Sequence, residues 1–167
     1  MRMTTFFTIG YEGASLRDFI DTLTEAGVEH VLDVRELPQS RRPGFSKRAL
    51  SEALEEAGIS YSHCKQLGDP KHGREAARRG DMDEFRMIFE AHLDLVASKE
   101  ALEESANTVC RAPTVLLCYE RNPNGCHRSL VAKRLLGLRS LQVQHLGVRS
   151  HVNKRTRAAA PAAVGHP

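Results

Sequence analysis

Apolar residues recur along this chain in two alternating periods. Residues 5–12 are apolar, with β-branched and aromatic side chains, and run into Gly10 and Gly13, the mark of a strand closed by a tight turn. Ser15 and Asp18 then have the spacing of a capping box. Leu16, Phe19, Ile20, Leu23 and Ala26 follow at helical intervals until Gly27. Residues 30–35 return to a strand pattern, so the chain opens with a βαβ unit whose strands are parallel and whose connection is right-handed. A second round follows. Ser46 caps a helix with Leu50, Ala53, Leu54 and Ala57 on one face, Gly58 ends it, and residues 59–64 form a third strand.

Residues 65–80 break the rhythm. They hold three glycines, one proline and five Lys or Arg against two acids, which predicts a surface loop. Asp81 and Glu84 form another capping box at the head of a long helix with Phe85, Ile88, Phe89, Leu93 and Val96 inward, and a second helical piece covers 99–107. From Thr114 an apolar run suits a buried strand. A turn through Asn122, Pro123, Asn124 and Gly125 leads to a helix starting at Cys126-His127-Arg128-Ser129, with Leu130, Val131, Leu135 and Leu136 on its buried side. Residues 141–146 read as a fifth strand. The expected fold is a single α/β domain over 1–149, with a mostly parallel sheet of about five strands and helices on both faces. Residues 150–167 are basic and then Ala/Pro-rich without apolar periodicity, and read as a disordered tail.

Composition narrows the class. A chain of 167 residues buries a core without disulfides or metal. No apolar run approaches a membrane span and no secretory h-region opens the sequence, so a soluble cytoplasmic protein with no membrane partner is expected. The four cysteines form no CxxC pair, which suits reduced thiols. Net charge is +3, but residues 121–167 carry nine Lys or Arg and no acid, leaving −6 on residues 1–120. That asymmetry draws an anionic partner, a small molecule or a nucleic-acid component.

In a parallel sheet the loops at the carboxyl ends of the strands share one edge, where helix N-termini present free N–H groups. The polar residues of this chain converge there. The first strand ends in Gly10, Tyr11 and Glu12; the second in Asp33, Arg35, Ser40, Arg41 and Arg42; the third in Tyr61, His63 and the loop with Lys71 and Arg74; the fourth in Glu120, Cys126, His127 and Arg128. Arg35 and Arg41 suit a bidentate grip on phosphate or carboxylate, or surface ion pairs. Glu12 and Glu120 are acid/base candidates, or neutralise the arginines. Tyr11 and Tyr61 read as core-edge aromatics, and Asp33, beside Val34 in a strand, as a carboxylate that positions a loop. Cys126 at a helix N-terminus beside His127 and Arg128 stands where a thiolate forms readily, though a buried packing cysteine fits there too. Cys118, inside the apolar strand, reads as core. His63, Cys64, Cys118, Cys126 and His127 match no known zinc-ligand spacing, so neither metal nor other cofactor is expected.

TIGYEG, DVRELPQSRRPGFSK, GISYSHCKQLGDPK and LLCYERNPNGCHRSLVAKRL, in that order over about residues 5–147, resemble the domain-of-unknown-function 488 family. The resemblance implies a compact intracellular α/β domain whose site would comprise Gly10, Tyr11, Glu12, Asp33, Arg35, Pro38, Ser40, Arg41, Glu120, Cys126, His127 and Arg128; it implies no particular reaction. A weaker likeness runs to rhodanese-like sulfurtransferases and cysteine phosphatases through VLDVRELP and the strand-loop-Arg-Ser-helix order. Cys126 stands two residues before Arg128 and Cys118 ten before it, and neither spacing closes the anion loop of those enzymes. The expected function is therefore an enzyme acting on a phosphate-bearing or other anionic substrate. Arg35, Arg41 and Arg128 would hold the anion and Cys126, His127, Glu120 or Glu12 would do the chemistry. The alternative is a non-catalytic nucleotide or nucleic-acid binding module.

Overall fold

Alternation along the strands decides how this chain layers. In β1 (Thr4–Gly10), β2 (His30–Asp33) and β4 (Thr114–Cys118), neighbouring apolar side chains go to opposite faces of the sheet. Phe6, Leu32 and Leu116 join one core; Ile9, Val31, Val115 and Leu117 join the other. Both faces must therefore be covered, and the helices divide accordingly. The structure, a computed structural model, describes residues 3–150; the tail expected from residue 151 on lies outside the described residues.

Five parallel strands, completed by β3 (Ser60–His63) and β5 (Leu141–Leu146), stand in the order β3-β2-β4-β1-β5. The helices α1 (Leu16–Glu25) and α2 (Lys47–Glu56) cover one face, burying Phe19, Leu23, Leu50 and Leu54. On the other lie α3 (Lys71–Arg78), α4 (Met82–Leu93), α5 (Val96–Arg111) and α6 (His127–Leu138), with Ala76, Phe85, Phe89, Leu102, Val131 and Leu135. Fully burying each such Leu or Phe is worth about 1.5–3 kcal/mol, so these two apolar stripes fix the layering. The all-parallel α/β architecture agrees with the sequence expectation. β4 is inserted between the two strands of the opening βαβ unit, pairing with both.

That insertion creates the crevice. The connection from β1 leaves through α1 to one face, and that from the adjacent β4 leaves through α6 to the other. Two neighbouring strands whose connections diverge form a topological switch point, and the carboxyl ends of β1 and β4 open a cleft there.

Three local expectations are corrected. Residues 65–80 are not a loop: a single 3₁₀ turn at Lys65–Leu67 leads to α3. Its buried face is made of Gly73 and Ala76, too small to register as an apolar period. The glycines that suggested a loop have other duties. Gly80, with φ +80°, ends the helix in a conformation that disfavours side chains, and Gly73 lies against Asp69, where a Cβ would overlap the carboxylate. The long helix expected through Val96 divides at Asp94 and Leu95, and Val96 opens α5 with 73% of its surface exposed. Ser46 occupies the N-cap position of α2, but its Oγ accepts from Ser40 N (3.1 Å) and donates to Ser40 O (3.2 Å), which closes the loop carrying Arg41 and Arg42. Asp81 caps as expected, accepting from Glu84 N at 3.0 Å.

Candidate functional site

At the switch point the ends of β1 and β4 are welded together. Beyond the ladder, Tyr11 N donates to Cys118 O (3.4 Å) and Glu12 N to Tyr119 O (2.8 Å). Gly10 permits this approach, since a Cβ there would overlap the Glu120 carbonyl. Gly68 does the same against the Glu36 backbone. The loops after β1, β2, β3 and β4 therefore meet closely, and between them lies a cavity of about 720 Å³. Of the sequence-predicted residues, Tyr11, Arg35, Ser40, Arg41, Glu120 and His127 line it; Gly10, Glu12, Asp33, Cys126 and Arg128 do not.

Arg35 is committed to the protein itself. Its Nε and a terminal nitrogen donate to the two oxygens of Asp33 (2.9 and 2.7 Å), and its other terminal nitrogen donates to Phe45 O (2.7 Å) and Tyr11 Oη (3.2 Å). The fork expected to hold a substrate anion thus holds Asp33, which is fully buried and also accepts from Arg35 N (3.1 Å) and Tyr61 Oη (2.5 Å). Burial alone would lower the Arg35 pKa, but the hydrogen bonds and charge of Asp33 outweigh it and raise the value. Burial, with the Asp33 hydrogen bond, raises the Tyr61 pKa. His63 Nε2 lies 2.6 Å from Arg35 O, fixing the same loop from β3.

Arg128 is likewise internal, with no exposed surface. Its Nε donates to Thr8 Oγ1 (3.1 Å), one terminal nitrogen to Cys118 Sγ (2.9 Å) and to Glu120 O, and the other to Arg121 O (3.2 Å). Burial pushes its pKa down to about 10, so it remains charged at neutral pH. Glu12, exposed, accepts from Arg121 N at 3.1 Å. The Cys126 sulfur, almost completely buried, caps α6 by accepting from Arg128 N (3.5 Å) and is drawn against Cys118 as a disulfide. His127 is also buried. Its Nε2 lies 2.7 Å from Val34 O, and burial, only partly offset by that carbonyl, pushes its pKa down to about 4.

The cations left facing the cavity come from the loop after β2 and from α3. Arg41 and Arg78 have no hydrogen-bonding or ion-pair partner among the described residues, and Arg42 is held only through Nε, which donates to Ala14 O. Arg74 is paired with Glu36 (2.6 Å) and donates to Asp69 O (2.7 Å). Five arginines line the cavity against Glu36, Asp69 and Glu120, an excess of two positive charges.

Asp69, which sequence reasoning passed over, is the unusual group. It is only 7% exposed, it lines the cavity, and its Oδ1 is the one buried side-chain oxygen or nitrogen among the described residues without a hydrogen-bond partner. Burial, reinforced by Glu120 and Glu36 and opposed by Arg74, pushes its carboxyl up to about 7; burial also raises Glu120. The one sequence signal was an acid between a glycine and a proline, Gly68-Asp69-Pro70, in a segment whose helix left no apolar period. A raised carboxyl pKa costs folding stability as pH rises, because the unfolded chain releases its proton near pH 3.8 and the folded chain near 7. Replacing Asp69 with Asn removes that penalty. In urea unfolding from pH 4 to pH 8, variant stability minus parent stability is expected to climb up to about pH 7 and then level. A difference that stays constant with pH would refute the buried-acid assignment.

A parallel α/β protein with a polar cavity at its switch point is what fold and site define. The chain belongs to the family described as "Domain of unknown function DUF488", whose model matches residues 15–135. The matched segment takes in Asp69, Glu120 and all five arginines of the cavity; β1 with Gly10 and Tyr11 lies ahead of it. No curated protein and no solved structure matches the chain. Among the described residues no helix is long and apolar enough to cross a membrane.

Proposed function

We propose that this chain is an enzyme acting on a phosphate-bearing or similarly anionic substrate, of nucleotide or nucleic-acid type, bound in the cavity at the carboxyl edge of the sheet. The observation that carries this reading is the pairing, in one cavity of about 720 Å³, of unpartnered guanidiniums with a buried unpartnered carboxylate. That volume falls within the range of small-molecule sites. Arg41 and Arg78, with the free end of Arg42, hold the anion by charge-assisted hydrogen bonds. Asp69 carries the proton, since a carboxyl that titrates near neutral pH both accepts and donates one readily. Arg35, whose guanidinium is spent on Asp33, Phe45 O and Tyr11 Oη, positions the β2 loop.

The test is turnover and binding over a panel of nucleotides and phosphorylated small molecules. Asp69→Asn should lower turnover by about 10²–10⁴-fold while leaving affinity within a few fold. Arg41→Ala with Arg78→Ala should weaken binding, and should flatten its dependence on salt. Salt-sensitive binding with no turnover by the parent chain would replace the catalytic reading with the binding-module one. Turnover unchanged in Asp69→Asn would remove the assigned proton carrier.

A further inference from the structure

We propose that Cys118, Glu120, Cys126 and His127 together form a zinc site at the edge of the cavity. One donor atom from each lies within 4.8 Å of every other, Glu120 and His127 line the cavity, and both sulfurs sit just behind. Zinc about 2.0–2.3 Å from four nitrogen, oxygen and sulfur donors needs them roughly 3.3–3.8 Å apart. The four donor atoms here already lie within 4.8 Å of one another.

Three further observations favour a cation over a bond between the sulfurs. First, the Cα atoms of Cys118 and Cys126 are 7.5 Å apart. Disulfides rarely span more than about 7 Å without backbone movement, whereas a metal between two thiolates fits a wider frame. Second, the ring of His127 is already oriented. A hydrogen bond from Nε2–H to Val34 O (2.7 Å) leaves the lone pair on Nδ1, which lies 3.7 Å from Cys126 Sγ. A backbone carbonyl on the far ring nitrogen is the usual way a protein fixes a metal-binding histidine. Third, the charges close. Two thiolates and the Glu120 carboxylate carry three negative charges, which zinc and the buried guanidinium of Arg128 cancel. A buried site is sustained when its charges are compensated. Arg128 also supplies N–H donors to both sulfurs, at 2.9 Å to Cys118 and 3.5 Å to Cys126. The sulfur-rich donor set selects zinc over magnesium or calcium.

Cys118, Cys126 and His127 show no known zinc spacing in sequence because the set occurs as Cys-x-Glu and, beyond a turn, Cys-His; only the β4–α6 junction folds them, with Glu120, onto one point. The inference rests on these four side chains and is independent of whether the cavity turns over a substrate.

The test uses the full chain purified in reducing buffer without chelator. One zinc per chain is expected by elemental analysis. Replacement by cobalt(II) should give thiolate-to-metal charge-transfer absorption and the d–d bands of a tetrahedral site. Cys118→Ser and Cys126→Ser should each lose the charge-transfer intensity of one thiolate and weaken metal affinity by more than the roughly 10–100-fold of a change outside the ligand set. A Cys64→Ser/Cys110→Ser chain should keep the full spectrum. Parent protein that binds no cobalt with thiolate charge transfer in reducing buffer overturns the proposal, as does binding that survives loss of both Cys118 and Cys126. The parent spectrum decides even where a ligand variant does not fold.

Discussion

Replacing Asp33 with alanine is expected to destabilise the fold by about 3–5 kcal/mol, the range for stripping one partner from a buried ion pair. The loss is large because Asp33 serves three groups at once. Without it the guanidinium of Arg35, 6% exposed, keeps its charge with only Phe45 O and Tyr11 Oη as acceptors. The Tyr61 hydroxyl and the Arg35 N–H lose their acceptor as well. Asp33→Asn retains an acceptor oxygen but removes the countercharge, and should fall between parent and alanine variant. Tyr61→Phe removes one hydrogen bond and should cost only about 1 kcal/mol. Urea unfolding with an unchanged denaturant slope would show that the native state, rather than the denatured chain, has changed. An Asp33→Ala cost no greater than that of Tyr61→Phe would mean that Arg35 finds water or another acceptor in the cavity it borders.

The same hub shows why the candidate site was only partly legible. That polar residues gather at one sheet edge follows from the alternation of strands and helices, which the apolar periods of α1 and α2 mark plainly. Which polar residues face a ligand does not follow. Arg35 and Arg41 look equivalent in sequence, but Arg35 follows a strand carboxylate two residues back and folds onto it, whereas Arg41 sits in a loop held by Ser40 and Ser46 and keeps its guanidinium free. Asp69 was hidden for a different reason. Its segment was expected to be a loop because the inward face of α3 is made of Gly73 and Ala76, so neither the helix nor the burial of the acid ahead of it left an apolar signature. Strand order was hidden too. Placing β4 between β1 and β2 is a choice among tertiary pairings, and nothing in local periodicity records it.

Arg128 is where fold and site depend on one side chain, and its replacement by methionine is expected to cost about 3–5 kcal/mol, the range for breaking a buried charged network. Methionine fills much of the space but donates nothing. The carbonyls of Glu120 and Arg121 and the Cys118 sulfur would lose the Arg128 donor, while Thr8 Oγ1 keeps His145 Nδ1 (2.5 Å), and each buried group left unsatisfied costs about 1–3 kcal/mol before relaxation. Relaxation is limited on the β1 side, where Gly10 already lies against the Glu120 carbonyl. It is easier on the solvent side, so the loop at residues 119–126 should open while the sheet persists. Hydrogen exchange should therefore show protection lost at Glu12 and Cys126, whose amides bond within this loop, ahead of the β1–β4 ladder. Lysine keeps the charge but reaches fewer acceptors than a planar guanidinium, so Arg128→Lys should recover less than half of the stability. Full recovery by lysine would show that charge alone matters there, and that the fan of hydrogen bonds from Arg128 to β1, β4 and the loop does not hold the cavity wall in place.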